Sequence, residues 1–491
     1  IAFMQPDAKD LMGRVYDFLL LTKALLLSSS IKMRERILSS ADEELKEKFN
    51  LWVEKKEFLT NAISMTQAQL TENNINPVQL HAEIEKLEKE LSQKSELFGQ
   101  DFENKKITWL DVRKSLAPNE VAIEMVRFRH FNHTFTDSVI YAALYVKNER
   151  TAPTPRVILL GNGADLEVRN FRYYRNAILR EFKDLFSYEA YWQPINNEIG
   201  QVSTIYLSAD GVYNQINLEA IPTPDDKYIL DNANIVLVSN TKDIFLNKRK
   251  SRPSSDNRFA FMVGDPQFYV MEASSRIAPL PGTEREVKEL NQLLNSNGWQ
   301  TEYFLQNRAT EDLLKEMQSP KIFHIATHGF YEPLKELSME EELTGNENLA
   351  VQNPLLRNGL LLRGAGDLLE KTEFNFNMES GILTAYEAMN LNLDQTDLVV
   401  LSACETGLGE VQQGEGVYGL QRAFLVAGAK VLIMSMFKVD DVATQKLMVK
   451  FYRNWLSTNN MRQSFIDAKK ELRIEYPEPI YWGAFIMIGM E

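Results

Sequence analysis

The strongest structural signal in the sequence is a repeated change between short apolar runs and amphipathic helical segments over residues 258–491. Runs such as Ile322–Ile325 and Leu398–Leu401 are too short for core helices and are typical of strands buried on both faces. Segments of helical period, such as Val442–Leu456, separate these runs along the chain. The pattern predicts an α/β fold with a parallel sheet covered by helices, in which functional residues lie at the carboxyl ends of strands.

A helical block precedes this region. Residues 1–106 are rich in Lys and Glu, and their apolar residues follow a helical period that is interrupted at Asn73–Pro77. Because asparagines followed by proline break a helix, we predict two long antiparallel helices, preceded by a helix over about Lys9–Ser28. These helices are either the end of a helical-repeat scaffold or a coiled-coil arm packed on the body, and one hairpin does not distinguish the two.

The middle block is rich in predicted strands, among them Val121–Val126, Val139–Val146 and Ile205–Leu207. A polar segment containing Pro and Ser, Lys248–Asn257, follows these strands and is typical of a linker. The sequence therefore predicts three domains, which comprise residues 1–106, 107–250 and 255–491.

Charge and cysteine content exclude several classes of protein. With 54 basic and 68 acidic residues, the net charge of −14 disfavours nucleic-acid binding by bulk charge. No apolar run approaches the roughly 18 residues that a membrane helix needs. The single cysteine, Cys404, excludes an intrachain disulfide and a thiolate zinc cage, and it fits a reducing, cytoplasmic compartment. Because the chain begins with Ile1 rather than Met, we expect it to be part of a longer protein.

Two predicted strands end in residues that can carry chemistry. His328 and Gly329 follow one apolar run, and Cys404 follows another. If these strands are adjacent and parallel, the imidazole and the thiol meet at one sheet edge, where a thiolate can attack a carbonyl and the imidazole can transfer the proton. The amides of Gly329 and Cys404 are then candidates for an oxyanion hole. A lone cysteine is also a common core residue, so both interpretations stay open at this level.

Two nearby patterns resemble known ligand sites without meeting their requirements. His324 precedes His328 by four residues, but the glutamate of a zinc helix is missing and the segment has the pattern of a strand. We therefore predict that His324 is a hydrogen-bonded core residue and that the chain binds no metal or cofactor. The glycine-rich run Thr406–Gly416 lacks the Gly-Lys-Ser/Thr ending of a phosphate loop, and we predict a mobile loop there.

Local signals also predict particular helix starts and one inserted strand. Thr283 with Glu286, and Thr384 with Glu387, have the spacing of capping boxes. In the long insertion Phe330–Ser380 we predict a strand or hairpin over the apolar Leu355–Leu362, and a mobile outer part that affects substrate access.

Several linked motifs resemble the CHAT domain, a caspase-clan cysteine peptidase relative that is often fused to tetratricopeptide repeats. The resemblance covers about residues 107–491, and its motifs are His324–Gly329, Asn353–Leu362, Leu383–Glu387, Val399–Gly409, Gly414–Phe424 and Tyr481–Phe485, with Leu207–Glu219 and Leu280–Val287 earlier in the chain. It implies a caspase–haemoglobinase-like α/β sandwich. Residues 107–250 would be a pseudo-protease half, residues 255–491 the active half, and the N-terminal helices the end of a repeat scaffold.

The resemblance also implies an activity and a set of site residues. It implies a cysteine endopeptidase that cleaves a partner protein with His328 and Cys404 as its dyad, under the control of the N-terminal helices. Residues Met436–Asp441 are similar to a separase segment whose aspartate contacts a basic P1 residue, although Phe437 and Lys438 depart from that segment. By this similarity Asp441 lines the S1 pocket, with Asp440 as a helix cap and Glu405 as an alternative pocket acid.

Members of this family in bacteria act in programmed cell death and antiphage defence, and some cut gasdermin-like proteins, which makes a protein substrate the expected partner. Two other functions are compatible with the same residues. The fold can serve as a catalytically silent interaction scaffold, or the dyad can hydrolyse a small amide or ester.

Overall fold

The computed structural model describes residues 9–63, 65, 67–99, 106–149, 154–249, 258–270, 277–332, 353–370, 381–403 and 406–491. Cys404 and Glu405 lie outside the described residues. So does the outer part of the insertion, for which we predict mobility.

The N-terminal block is helical, as predicted, and comprises α1 (Lys9–Thr22), α2 (Leu25–Ser39), α3 (Glu43–Ile63), α4 (Gln67–Glu72) and α5 (Pro77–Gly99). Helices α3 and α5 pack together through an apolar seam that includes Phe49, Trp52 and Ile84. This pair corresponds to the two long helices that the period predicts.

The prediction of one helix over Lys9–Ser28 is wrong, because one helix ends at Thr22 and a second begins at Leu25, with Lys23 and Ala24 between them. Ala24 has a left-handed backbone with φ of 53°. The buried Lys23 ammonium lies 3.1 Å from a carboxylate oxygen of Glu124 and donates to the carbonyls of Met125 and Ser208, both at 2.8 Å. A cation out of water requires such partners, and reaching them directs the chain out of the helix.

The middle block contains a long antiparallel hairpin. A further strand pairs in parallel with the first strand of this hairpin, and another pairs in parallel with that further strand. Its strands are β1 (Glu120–Asn132), β2 (Thr134–Lys147), β3 (Arg156–Asn162), β4 (Thr204–Ser208) and β5 (Asn234–Leu237). Its helices are α6 (Trp109–Ser115), α7 (Gly163–Asp165), α8 (Phe171–Leu179), α9 (Gln193–Ile199), α10 (Ile229–Asn232) and α11 (Lys242–Arg249).

The C-terminal block alternates strands and helices, as predicted. Its strands are β6 (Phe259–Pro266), β7 (Gln300–Gln306), β8 (Ile322–Ala326), β9 (Gly329–Tyr331), β10 (Asn358–Leu361), β11 (Ile382–Thr384), β12 (Leu398–Leu401), β13 (Glu410–Gln412), β14 (Gly416–Tyr418), β15 (Val431–Ser435) and β16 (Phe485–Gly489). Its helices are α12 (Pro281–Ser296), α13 (Glu311–Glu316), α14 (Ala365–Glu370), α15 (Ala385–Ala388), α16 (Leu420–Val426), α17 (Asp441–Thr458), α18 (Met461–Glu475) and α19 (Pro479–Trp482). Strand β10 lies within the predicted Leu355–Leu362.

One sheet joins the middle and C-terminal blocks, with strand order β3-β2-β1-β4-β5-β16-β15-β12-β8-β6-β7. All residues of β8, β12 and β15 are buried. Successive side chains of a strand point to opposite faces, so these strands are covered on both sides. The α/β class is confirmed, with β16 antiparallel to β15 in an otherwise parallel region. The three domain boundaries stay a prediction.

The helical block is fixed to the chain segment that leads into β12. Lys56 of α3 is buried, lies 3.1 Å from the Asn390 side-chain oxygen, and sits 4.3 Å from the ring centroids of both Trp52 and Tyr386. Burial lowers the pKa of its ammonium to about 8. Arg34 of α2 donates to the Leu391 carbonyl at 2.8 Å. Two buried cations thus attach these helices to the body.

Candidate active site

The strands that lead to His328 and to Cys404 are direct neighbours. Strands β8 and β12 pair in parallel, with Val400 opposite His324, and the Ser402 amide donates to the Ile325 carbonyl at 2.8 Å. The carboxyl ends of both strands, and the residues that follow them, therefore lie at the same edge of the sheet. Because Cys404 lies outside the described residues, its distance from His328 stays a prediction.

Ser435, at the end of β15, holds the residues on either side of Cys404–Glu405. Its buried hydroxyl donates to the Ala403 carbonyl, and its amide donates to the Thr406 hydroxyl at 3.2 Å. The Gly407 amide in turn donates to the Ser435 carbonyl at 2.7 Å. Sequence reasoning missed Ser435. The signal that could have found it is its place as a polar residue at the end of the apolar run that forms β15.

The half-buried His328 side chain has a fixed hydrogen-bond partner. Its Nε2 lies 2.7 Å from the Ala278 carbonyl oxygen, and its ring lies 5.2 Å, between centroids, from the buried Phe268. A carbonyl can only accept, so Nε2 carries a hydrogen and the neutral ring keeps Nδ1 as its acceptor. The contact uses backbone, which has no residue-type signature, and sequence reasoning missed it.

The main chain around His328 is held by the inserted strand β10. The Leu361 amide donates to the His328 carbonyl at 2.9 Å, and Leu360 pairs with Gly329 in antiparallel register. The Thr327 hydroxyl also donates to the Leu361 carbonyl. Gly329 is thereby fixed beside the imidazole, while its role in an oxyanion hole stays a prediction.

Asp440 and Asp441 lie at the start of α17. The Asp440 carboxylate accepts from the Ala443 amide at 2.9 Å, so Asp440 is the predicted N-cap. Burial, and then the charge of Asp440, raise the pKa of the Asp441 carboxyl, while nearby His328 acts in the opposite direction. A side chain at Gly282 would place its Cβ 2.8 Å from the Asp441 Cβ, so the start of α12 packs directly on Asp441. The S1 role of Asp441, Asp440 or Glu405 stays a prediction.

His324 is the hydrogen-bonded core residue that the sequence predicts. It is fully buried, with Nε2 2.8 Å from a Glu286 carboxyl oxygen and Nδ1 3.2 Å from the Tyr452 hydroxyl. Both ring nitrogens are used, which leaves neither for a metal. Across the part of the chain that the structure describes, no group of three or more His, Cys, Asp or Glu side chains is arranged to hold a metal ion.

This buried pair explains why one predicted capping box is wrong. Helix α12 begins at Pro281, two residues before Thr283, whose hydroxyl donates to the Leu280 carbonyl and accepts from the Asp265 amide. Glu286 is bonded to His324 and not to a helix N-cap. The capping box of Thr384 and Glu387 is confirmed.

The glycine-rich run forms a hairpin of β13 and β14. Glu410 pairs with Arg357, and the Asn358 side chain donates to the Leu408 carbonyl at 2.8 Å. These contacts connect the hairpin to β10. The mobility of this run stays a prediction.

The sequence model of the CHAT domain family matches residues 187–490, more than half of the chain. The chain therefore belongs to the CHAT domain family, which confirms the resemblance seen in its motifs. Among curated relatives, the Mus musculus and Homo sapiens proteins named tetratricopeptide repeat protein 28 are each 24% identical over 253 residues, or 50% of this chain. The chain spans only 10% of their length.

Solved structures offer distant likenesses. A chain of the Saccharomyces cerevisiae separase–securin complex is 13% identical, with a TM-score of 0.37 over 59% of this chain and 15% of that one. The Arg-specific cysteine proteinase gingipain R is 9% identical, with a TM-score of 0.39 over 66% of this chain and 74% of that one.

Proposed function

We propose that the chain is a cysteine endopeptidase that cleaves a partner protein, with Cys404 as nucleophile and His328 as proton carrier. One observation carries the proposal. His328 follows β8, Cys404 follows the adjacent parallel strand β12, and the Ala278 carbonyl holds the imidazole with Nδ1 as its acceptor. Membership of the CHAT family supports the same chemistry.

The proposed reaction passes through an acyl-enzyme. Nδ1 of His328 takes the thiol proton, and the Cys404 sulfur bonds to the substrate carbonyl carbon. The amides of Gly329 and Cys404 stabilise the oxyanion. The imidazolium then gives its proton to the leaving amine as the peptide bond breaks, and water hydrolyses the thioester with His328 as base.

The proposal is tested by comparing the proteins cleaved by the wild type with those cleaved by Cys404→Ala. We expect new protein termini with the wild type and none above background with the variant. Alkylation of the wild type, whose only thiol is Cys404, must give the same loss. Cleavage that survives both changes contradicts the dyad. If no protein is cleaved and the thiol reacts like a model thiol, the scaffold alternative is favoured.

We further propose that Asp441 recognises a basic P1 residue. A raised pKa means that this carboxylate is protonated at a higher pH than an ordinary aspartate. We therefore expect the preference for Arg or Lys over neutral P1 residues to fall as pH is lowered through that pKa. Loss of a charged contact of about 1.5–3 kcal/mol predicts that Asp441→Asn lowers the preference by roughly 10- to 100-fold and removes its pH dependence.

Asp440→Asn is the matched control, because Asp440 is the neighbouring acid and caps α17. Asn caps a helix about as well as Asp, so we expect this variant to change both stability and the P1 preference little. A preference lost in Asp440→Asn and kept in Asp441→Asn would assign the pocket to Asp440. The measurement is kcat/KM for paired peptides that differ only at P1, taken across a pH series.

The cysteine content and the family resemblance also suggest a compartment and a substrate class for this activity. A single cysteine, which can form no intrachain disulfide, fits a reducing compartment, so we place the protein in the cytoplasm. Within the described ranges, no helix is both long enough and apolar enough to cross a membrane. Cleavage of a gasdermin-like protein in bacterial cell death or antiphage defence is the substrate class that the family resemblance supplies.

A further inference from the structure

The glycine-rich hairpin of β13 and β14 contacts the N-terminal helices at its tip. The Ala24 amide donates to the Gly414 carbonyl at 2.7 Å. The Leu26 amide lies 3.1 and 3.2 Å from the two carboxylate oxygens of Glu415. These contacts join residues almost 390 positions apart in sequence, at the exact break between α1 and α2.

Helix α2 depends on this contact because it has no cap of its own. Its N-cap is Ala24, whose side chain makes no capping bond, and its first turn contains no acidic residue. The first amides of a helix lack intrahelical partners and carry partial positive charge. The Glu415 carboxylate supplies the missing acceptor and the complementary charge, and Arg422 lies 3.5 Å from the same carboxylate.

The middle block holds the opposite side of the hairpin tip. Asp210, which is only 3% exposed, accepts from the Gly414 amide at 3.1 Å, from the Gly211 amide at 2.9 Å and from the Arg127 amide at 2.8 Å. The Gln413 side chain donates to the Arg127 carbonyl at 2.7 Å. The tip is therefore fixed between two parts of the chain that lie outside the proposed catalytic half.

The base of the hairpin leads to the candidate active site. Leu408, four positions after Cys404, accepts from Asn358, and Glu410 pairs with Arg357. Asn358 belongs to β10, which pairs with β9 and bonds the His328 carbonyl through Leu361. A displacement of the hairpin thus acts on the main chain beside His328 and on the segment that follows Cys404.

We propose that Glu415 is a positioning residue that couples the packing of α2 to the geometry of this site, an inference that rests on the proposed peptidase function. The hairpin stabilises the start of α2, and by linkage α2 stabilises the hairpin to the same extent. A partner that draws α2 away from the body removes the contacts of Ala24 and Leu26, and turnover falls.

The test uses Glu415→Ala in the full chain. We expect amide exchange at the start of α2 and in the hairpin to rise by roughly tenfold, as loss of a charge-assisted cap predicts. We expect kcat to fall by a similar factor while KM stays nearly constant, because substrate contacts are unchanged. Glu415→Gln keeps an acceptor oxygen, so its amide exchange and its kcat should both be close to those of the wild type. Glu289→Ala, on the exposed face of α12, is the control for loss of a glutamate.

The outcomes separate this coupling from the peptidase function. Unchanged exchange at α2 in Glu415→Ala overturns the coupling, whatever the activity. Raised exchange with unchanged kcat overturns the positioning role. Raised exchange at both segments, in a protein whose wild type cleaves nothing, supports the contact and defeats the peptidase proposal. If Glu415→Ala does not fold, exchange in Glu415→Asp decides, because the shorter side chain withdraws the carboxylate from the Leu26 amide; a rise at both segments is expected, and no rise at α2 contradicts the coupling.

Discussion

His328→Ala is expected to lower kcat by about 100- to 10,000-fold, the usual contribution of a positioned general acid–base group. The variant keeps the strand β8 and the Cys404 thiol, but it removes the group that we propose protonates the leaving amine. The ring contacts Phe268 and the Ala278 carbonyl at the half-exposed end of the strand, so its removal should cost little stability. The measurement is kcat and KM on an identified substrate, together with the free energy of unfolding.

His130→Ala is the matched control, because His130 lies on β1, which five intervening strands separate from β8 in the sheet. It should keep full activity. An imidazole nitrogen spectrum of the wild type provides a second check, since the Ala278 contact requires the hydrogen on Nε2. Activity that persists in His328→Ala would remove this residue from the mechanism, and a hydrogen on Nδ1 would contradict the assigned tautomer.

His324→Leu should destabilise the protein by about 3–5 kcal/mol, the cost of removing one partner from a buried pair. Glu286 is 1% exposed and would be left without the imidazole that it bonds at 2.8 Å. The Tyr452 hydroxyl, also buried, would lose its partner as well. The measurement is the free energy of unfolding from urea titration with an unchanged m-value.

The double variant Glu286→Leu/His324→Leu tests the cause. Replacing both members of a buried pair by apolar groups removes the unpaired carboxyl, so the double variant should be more stable than His324→Leu. If the double variant is instead the less stable of the two, the loss comes from packing and not from an orphaned acid. A cost below about 1 kcal/mol for His324→Leu would contradict the importance of the pair.

Much of the fold could be predicted from local patterns. Apolar runs predicted β8 and β12, helical period predicted α3 and α5, and the spacing of Thr384 and Glu387 predicted a helix start. The positions of His328 and Cys404 at strand ends followed from the same runs, and linked motifs indicated the CHAT family. These features depend on residues that are close in sequence, so side-chain period and capping chemistry are sufficient to indicate them.

The sequence by itself determined the α/β class, the order of the strands along the chain, the family and the residues proposed as a dyad. Only the tertiary structure decided which groups from distant parts of the chain contact the proposed site residues and the helix ends. Packing places the Ala278 carbonyl on His328, Ser435 beside the segment of Cys404, and the Glu415 carboxylate on the start of α2. Packing also brings the Glu286 carboxyl into hydrogen-bond contact with His324, and it ends the first helix just before Lys23. Buried polar groups must find partners wherever the fold brings them together, and no local period encodes those partners.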